Sequence, residues 1–225
     1  VSLVVALTPT RAGGMLVAST WDEWVLPRMT ERVLNTGSIR RLRRTVTDTL
    51  HGEVAEIGFG SGLNVPWYPA TVTRVLAVEP SMTARRLAAA RIEASRVPVD
   101  FLGLDGQDLP LPDASVDAVL CTFTLCTIAD PQRALAEVIR VLRPGGTFHF
   151  AEHGLAPTQP LASWQNRLNP VERVVAGGCN LNRRIDELIS RSGLQFEWLQ
   201  TALLPGPRLT RPWGYVYSGI ARTAD

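Results

Sequence analysis

Glu56-Ile57-Gly58-Phe59-Gly60-Ser61-Gly62, with Glu79 farther on, is the stretch that decides how this chain folds. Val54 to Ile57 is apolar enough to be a buried strand. The alternate glycines after it remove side chains where strand turns into helix, so the backbone can take positive φ and approach a ligand closely. The next apolar run, Val75-Leu76-Ala77-Val78, ends in Glu79. A carboxylate at the end of a second strand can accept hydrogen bonds from both hydroxyls of a ribose.

The glycine spacing is G-x-G-x-G, which departs from the dinucleotide pattern and demands no pyrophosphate cradle. Glu56, just before the first glycine, would repel phosphate and suit a cationic ligand. A nucleoside carrying an ammonium and a sulfonium, as S-adenosylmethionine does, fits both features.

Outward from this stretch, strand and helix signals alternate. Ser81 caps a helix containing Met82, Leu87 and Ile92. Val99 to Leu104 reads as a third strand and Val116 to Cys121 as a fourth. Asp130-Pro131 opens a helix with an N-cap acceptor and a first-turn proline. Its apolar face is Leu135, Val138, Ile139 and Leu142; Arg143-Pro144-Gly145-Gly146 stops it, and Thr147 to Glu152 forms a fifth strand. Leu161 to Val175 reads as a helix interrupted by Pro170, and Arg184 to Arg191 as a short helix ended by Gly193. Leu194 to Leu203 and Trp213 to Ala221 complete the strands. The expected fold is α/β, a Rossmann-like doubly wound sheet of seven strands, mostly parallel with an antiparallel last strand.

Two helices precede the first strand. Trp21, Val25, Met29 and Val33 draw one apolar stripe, and Ile39, Leu42, Val46 and Leu50 draw another. Both helices are expected to lie over the cleft as a lid, with Trp21 in the core and Trp24 open to a substrate role. Arg40, Arg41, Arg43 and Arg44 read as a solvated basic face, or as a face for an anionic membrane surface. Residues 1–17 are expected to be a dispensable extension, since Val1 or Met15 can each mark the start. Residues 18–225 form one domain, with 18–50 as the lid and 51–225 as the core.

The chain has 225 residues, a formal charge of +2 and three cysteines. The charge is too small to argue for nucleic acid. Cys121, Cys126 and Cys179 show no metal-type spacing, so no metal is expected and the default compartment is the reducing cytoplasm. Buried or pocket-lining thiols are the expected state of Cys126 and Cys179. The opening run from Val1 to Leu7 is too short to span a bilayer. His149 alternates with Phe148 and Phe150 on a strand and reads as a structural histidine; His51 carries no argument.

The motif series resembles the class I methyltransferases that use S-adenosylmethionine. Glu56 to Gly62 matches their first motif and Glu79 their ribose-binding acid. Asp105-Gly106-Gln107, with Leu109 to Asp113, matches the segment after strand three, where the aspartate accepts from the adenine amino group. Leu142 to Gly146 matches the turn before strand five. The resemblance implies S-adenosylmethionine contacts from Glu56, Gly58, Gly60, Gly62, Glu79, Pro80, Asp105, Gly106 and Thr122.

A narrower resemblance, to the branch that contains animal alkyl-thiol methyltransferases, rests on several segments in order: Cys121 to Cys126, Glu152-His153, Trp164-Gln165, Gly178 to Arg183 and Gly214-Tyr215. Those animal proteins carry an apolar anchor that has no counterpart here. The resemblance implies a small, apolar acceptor, a thiol first, with quinones, phenols and phospholipids as alternatives. A membrane surface is a further partner, and nucleic acid is not.

His153, just past the fifth strand, is the candidate catalytic residue as a base or thiol-polarising group. A catalytically idle nucleoside-binding module is the rival of another class. A short-chain dehydrogenase is disfavoured because no Tyr-x-x-x-Lys pair is found.

Overall fold

The computed structural model describes residues 21–223; the expectations for residues 1–17 therefore lie outside the described residues. A π-turn at Trp21–Val25 leads into α1 (Leu26–Val33) and α2 (Gly37–Thr47). There follow β1 (Gly52–Ile57), β2 (Val72–Val78), α3 (Met82–Glu93), β3 (Val99–Gly103), β4 (Val116–Thr122), α4 (Pro131–Val141) and β5 (Leu142–His153). The chain ends with α5 (Gln159–Val175), α6 (Ile185–Arg191), β6 (Leu194–Leu203) and β7 (Tyr215–Thr223).

The seven strands lie in the order β3-β2-β1-β4-β5-β7-β6. The pairs from β3 through β5 are parallel, whereas β7 runs antiparallel to both of its neighbours. This is the α/β, seven-stranded arrangement that the alternating sequence signals imply.

Period-two alternation divides each central strand between two cores. Ala55, Ile57, Val119, Cys121, Phe148 and Phe150 face one side, where Leu135 and Val138 of α4 and Ile185 and Ile189 of α6 cover them. Val54, Val75, Ala77, Ala118 and Leu120 face the other, beneath Val46 of α2 and Ala88 of α3. Strands buried on both faces explain the near-continuous apolar runs.

Local chemistry fixes the helix starts. Ser81 Oγ accepts from Ala84 N at 3.2 Å, and Asp130 Oδ1 accepts from Gln132 N and Arg133 N at 3.1 Å each. The Arg143-to-Gly146 turn lies inside β5 rather than ahead of it: Gly145 has φ 76°, and the pairing with β4 shifts register there.

The first helical segment departs from expectation. Trp21, Val25, Met29 and Val33 all point outward, with Val33 60% exposed. Trp21 is not in the core; its Nε1 donates to Val175 O at 3.0 Å at the end of α5. Leu26, Thr30 and Leu34, also spaced by four, turn inward instead. Spacing by four identifies helical faces but does not say which is buried when two adjacent faces are both apolar. The second stripe behaves as read, with Ile39, Val46 and Leu50 all buried.

Candidate active site

Strand order reverses between β1 and β4, and a cleft of about 360 Å³ opens beyond their C-terminal ends. Such switch points are where open α/β sheets bind ligands. One wall is the glycine loop, another the turn after β4, and a third the inward face of α1. A larger depression of about 550 Å³ lies between α1 and the far end of α3. It touches no residue of the glycine loop, so the cleft is the better candidate.

The three glycines have φ of 73° (Gly58), 58° (Gly60) and 74° (Gly62), a region that other residues seldom enter. A Cβ on Gly58 would sit 1.9 Å from Thr124 Oγ1, and one on Gly62 would press on Val65 and Ala88. Gly60 differs: its nearest neighbour would be Gly58 O at 3.9 Å, so a side chain there would project into open space. Gly58 and Gly62 serve packing, and Gly60 leaves room in the cleft.

Glu79 follows β2 and is only 7% exposed. Its Oε2 accepts from Gly60 N at 2.7 Å and its Oε1 from Ser81 N at 2.8 Å. Burial raises its pKa, and these backbone donors hold the rise down. The carboxylate is therefore fixed at the cleft rim, next to Pro80, which also lines it.

Glu56 is placed otherwise than a ligand-facing acid. It is wholly buried behind the glycine loop and heads a polar cluster. Asn64 Nδ2 donates to Glu56 Oε1 at 2.8 Å, and the Tyr68 hydroxyl donates to Oε2. Arg43 Nη1 donates to Asn64 Oδ1 at 2.8 Å and to Thr122 Oγ1 at 2.7 Å. Burial pushes Glu56 up to about 7 and Arg43 down to about 10, each shift being moderated by the partner. The Arg43 guanidinium also stacks 5.3 Å from the ring of Phe123, a non-glycine residue with φ 55°. Strain of this kind collects at ligand sites.

Arg43 thus corrects the reading of the arginine cluster as wholly solvated, since it is 4% exposed while Arg40, Arg41 and Arg44 face outward. The signal was present in the sequence. Arg43 stands four residues after Ile39 and three before Val46, on the buried stripe. Its Nε is buried without a hydrogen-bond partner, and the side chain borders the cleft. An orphaned donor at a cleft wall marks a place for an acceptor on a ligand.

Thr122 and Phe123 line the cleft. Gly106 is buried, where a Cβ would stand 2.4 Å from Ile57 Cγ2. Asp105 is exposed and spends its Oδ1 on Gln107 N and Nε2, at 2.8 and 2.9 Å; it lies outside the lined cleft. Trp24 also stays outside the cleft, between Arg28 and Arg86.

His153 is 7% exposed and does not line the cleft. His153, read from the sequence as a base or thiol-polarising group, is the last residue of β5 and lies beside two cysteines. There Cys179 Sγ lies 3.7 Å from both ring nitrogens and 3.4 Å from Cys126 Sγ. The two cysteines, without a partner in sequence spacing, are neighbours in space. Glu152 is buried alongside and accepts from Thr124 N at 2.9 Å and Cys126 N at 3.2 Å, which fixes the turn after β4. His149 is a satisfied core residue: Nδ1 lies 2.7 Å from Val46 O and Nε2 lies 2.9 Å from Thr147 Oγ1.

Comparison with known proteins shows the family. A family model described as a methyltransferase domain matches residues 55–150. Thiol S-methyltransferase TMT1A of Homo sapiens is 34% identical over 170 residues, which are 72% of this chain and 68% of that protein. Demethylmenaquinone methyltransferase of Renibacterium salmoninarum is 34% identical over 142 residues, 60% of this chain and 58% of that protein. A solved S-adenosylmethionine-dependent methyltransferase of Thermotoga maritima superposes with a TM-score of 0.63 at 22% identity, covering 88% of this chain and 98% of that one. The chain belongs to the class I S-adenosylmethionine-dependent methyltransferases, near the branch of the thiol S-methyltransferases.

Proposed function

We propose that this enzyme moves a methyl group from S-adenosylmethionine to a small apolar acceptor, a thiol first, and that the β1–β4 cleft is where it does so. The observation that carries this reading is the convergence of the Gly60 opening, the fixed Glu79 carboxylate and the orphaned Arg43 Nε on one cleft. In this reading Glu79 accepts from the ribose hydroxyls, Gly60 admits the ligand against bare backbone, and Arg43 offers a donor to the carboxylate end. Gly58, Gly62 and Gly106 shape the backbone. Glu56 acts through Asn64 and Arg43 as a positioning residue, and Thr122 closes that network.

S-adenosylmethionine, when bound, supplies an electrophilic methyl on a sulfonium whose thioether leaves without an acid. The protein therefore needs chiefly to hold and orient the acceptor and to exclude water. Leu26, Pro27 and Leu34 supply an apolar wall for that purpose, and in this reading the first helical segment is a lid. A thiol, with a reference pKa near ~8.5, ionises far enough near neutral pH to need no dedicated base. Among the described residues, no histidine lines the cleft.

The likeness to a demethylmenaquinone methyltransferase supports a quinone-type acceptor as second reading. The test is incubation of the purified enzyme with methyl-labelled S-adenosylmethionine and a panel of thiols, quinones and phenols. Label on a thiol sulfur is the expected result. Label on a quinol or phenol with every thiol untouched would replace the thiol reading with the second.

A further inference from the structure

Three donor groups that the proposed reaction does not use meet behind the cleft wall. Cys126 lies between β4 and α4, His153 ends β5, and Cys179 lies between α5 and α6. They are 1%, 7% and 8% exposed. Cys126 Sγ and Cys179 Sγ are 3.4 Å apart, and Cys179 Sγ is 3.7 Å from either imidazole nitrogen. The donor atoms of all three lie within 4.8 Å of one another.

These separations can be compared with what a metal requires. Tetrahedral bonds of ~2.3 Å to sulfur and ~2.0 Å to nitrogen place two sulfurs about 3.8 Å apart, and a sulfur and a nitrogen about 3.5 Å apart. The sulfur–sulfur and Cys179–imidazole separations differ from these by only a few tenths of an ångström, and Cys126 Sγ lies within 4.8 Å of the imidazole donor. A disulfide, at ~2.05 Å, would need the sulfurs to close by more than an ångström. The imidazole would need only to rotate one nitrogen toward the centre of the trio.

Charge and softness agree with the distances. Two thiolates and a neutral imidazole around a divalent ion sum to zero, which removes the cost of burying net charge. Thiolate with imidazole suits d10 ions such as zinc rather than magnesium or calcium. Glu152 holds the turn through two backbone N–H groups, and its buried carboxylate is close enough to act electrostatically on Cys126 and His153. Arg183 donates to Leu125 O beside the trio, so a positive charge stands near both sulfurs.

We infer that Cys126, Cys179 and His153 form a binding site for a thiophilic d10 ion, zinc above all. Among the described residues no fourth histidine, cysteine or carboxylate joins them, so one coordination position is left to an exogenous ligand. The ion would tie two segments of the cleft wall to the end of β5, since Thr127 beside Cys126 and Gly177 just before Gly178-Cys179 both line the cleft.

The test uses the full chain, reduced and stripped with a chelator, then titrated with zinc, and with cobalt(II) as a spectroscopic stand-in. About one ion per chain is expected, with sulfur-to-cobalt charge-transfer absorption. Cys179→Ser and His153→Ala should each lose stoichiometric binding, whereas Cys121→Ser should keep it. X-ray absorption on the zinc-loaded unmutated protein needs no variant to fold. It should show two sulfurs at about 2.3 Å and one nitrogen at about 2.0 Å. A shell without sulfur, no stoichiometric binding, or a Cys126–Cys179 disulfide that persists in the reduced, zinc-treated protein would each overturn the inference.

Discussion

Arg43 and Glu56 show how one pair of residues links stability to the site. Both side chains are buried; Asn64 bridges them, Thr122 accepts from Arg43 and Tyr68 donates to Glu56. Removing one buried charge strands the other, at a cost of ~3–5 kcal/mol. Arg43→Met should therefore lower urea-unfolding stability by about that much, and adding Glu56→Gln should recover part of the loss. Additive losses in the double variant would show that the two charges are not coupled. His149 gives a pH dependence. Burial depresses its pKa to about 4 from an ordinary 6.5, so the unfolded chain takes up the proton more readily. The stability due to neutral His149 is complete above about pH 6.5 and is lost as pH falls toward about 4. The advantage of the native protein over His149→Gln should shrink across that window by on the order of 3 kcal/mol. An advantage that stays constant from pH 7 to pH 4.5 would contradict the assignment.

At the scale of elements, the cleft needs α1 as well as the sheet. Glu23 Oε1 accepts from Thr83 N at 2.9 Å, Glu31 pairs with Arg91 at 2.6 Å, and Arg91 in turn donates to Ser61 O at 2.8 Å. These contacts bind the first helical segment to α3 and to the glycine loop. A chain beginning at Thr36 keeps α2 with its buried Val46, and the buried Leu50 that follows it. It should fold, as read by circular dichroism, yet bind S-adenosylhomocysteine at least about tenfold more weakly. Undiminished affinity would assign the segment some other work. How far the sequence disclosed such elements depended on whether the deciding force was local. Helix caps at Ser81 and Asp130, and the glycine loop, are set within a few residues and could be read directly. The orientation of α1 depends on contacts with α3 and α5 far along the chain, and an apolar stripe alone pointed the wrong face inward. Cys126 and Cys179 meet only because β4, β5 and the α5–α6 turn converge, which no spacing rule reports.

For the whole molecule, alternation of apolar runs with capped helices was enough to specify a parallel sheet with helices on both faces, whereas the reversal of the last strand is not encoded in that alternation. The candidate site was legible where backbone demands dominate, at Gly58, Gly60, Gly62 and Glu79. It was not legible where a charge is buried by tertiary packing, as with Arg43, or where residues far apart in sequence meet, as with Cys126 and Cys179. The cleft between β1 and β4 is the proposed S-adenosylmethionine site. Calorimetric titration of the protein with S-adenosylhomocysteine and with NAD, repeated on Gly60→Val, tests it most directly. About one equivalent of S-adenosylhomocysteine should bind, NAD should not bind comparably, and Gly60→Val, checked by circular dichroism for a retained fold because φ is 58° there, should lose the binding as its side chain enters the opening. Preferential binding of NAD, or unchanged S-adenosylhomocysteine binding by Gly60→Val, would contradict it.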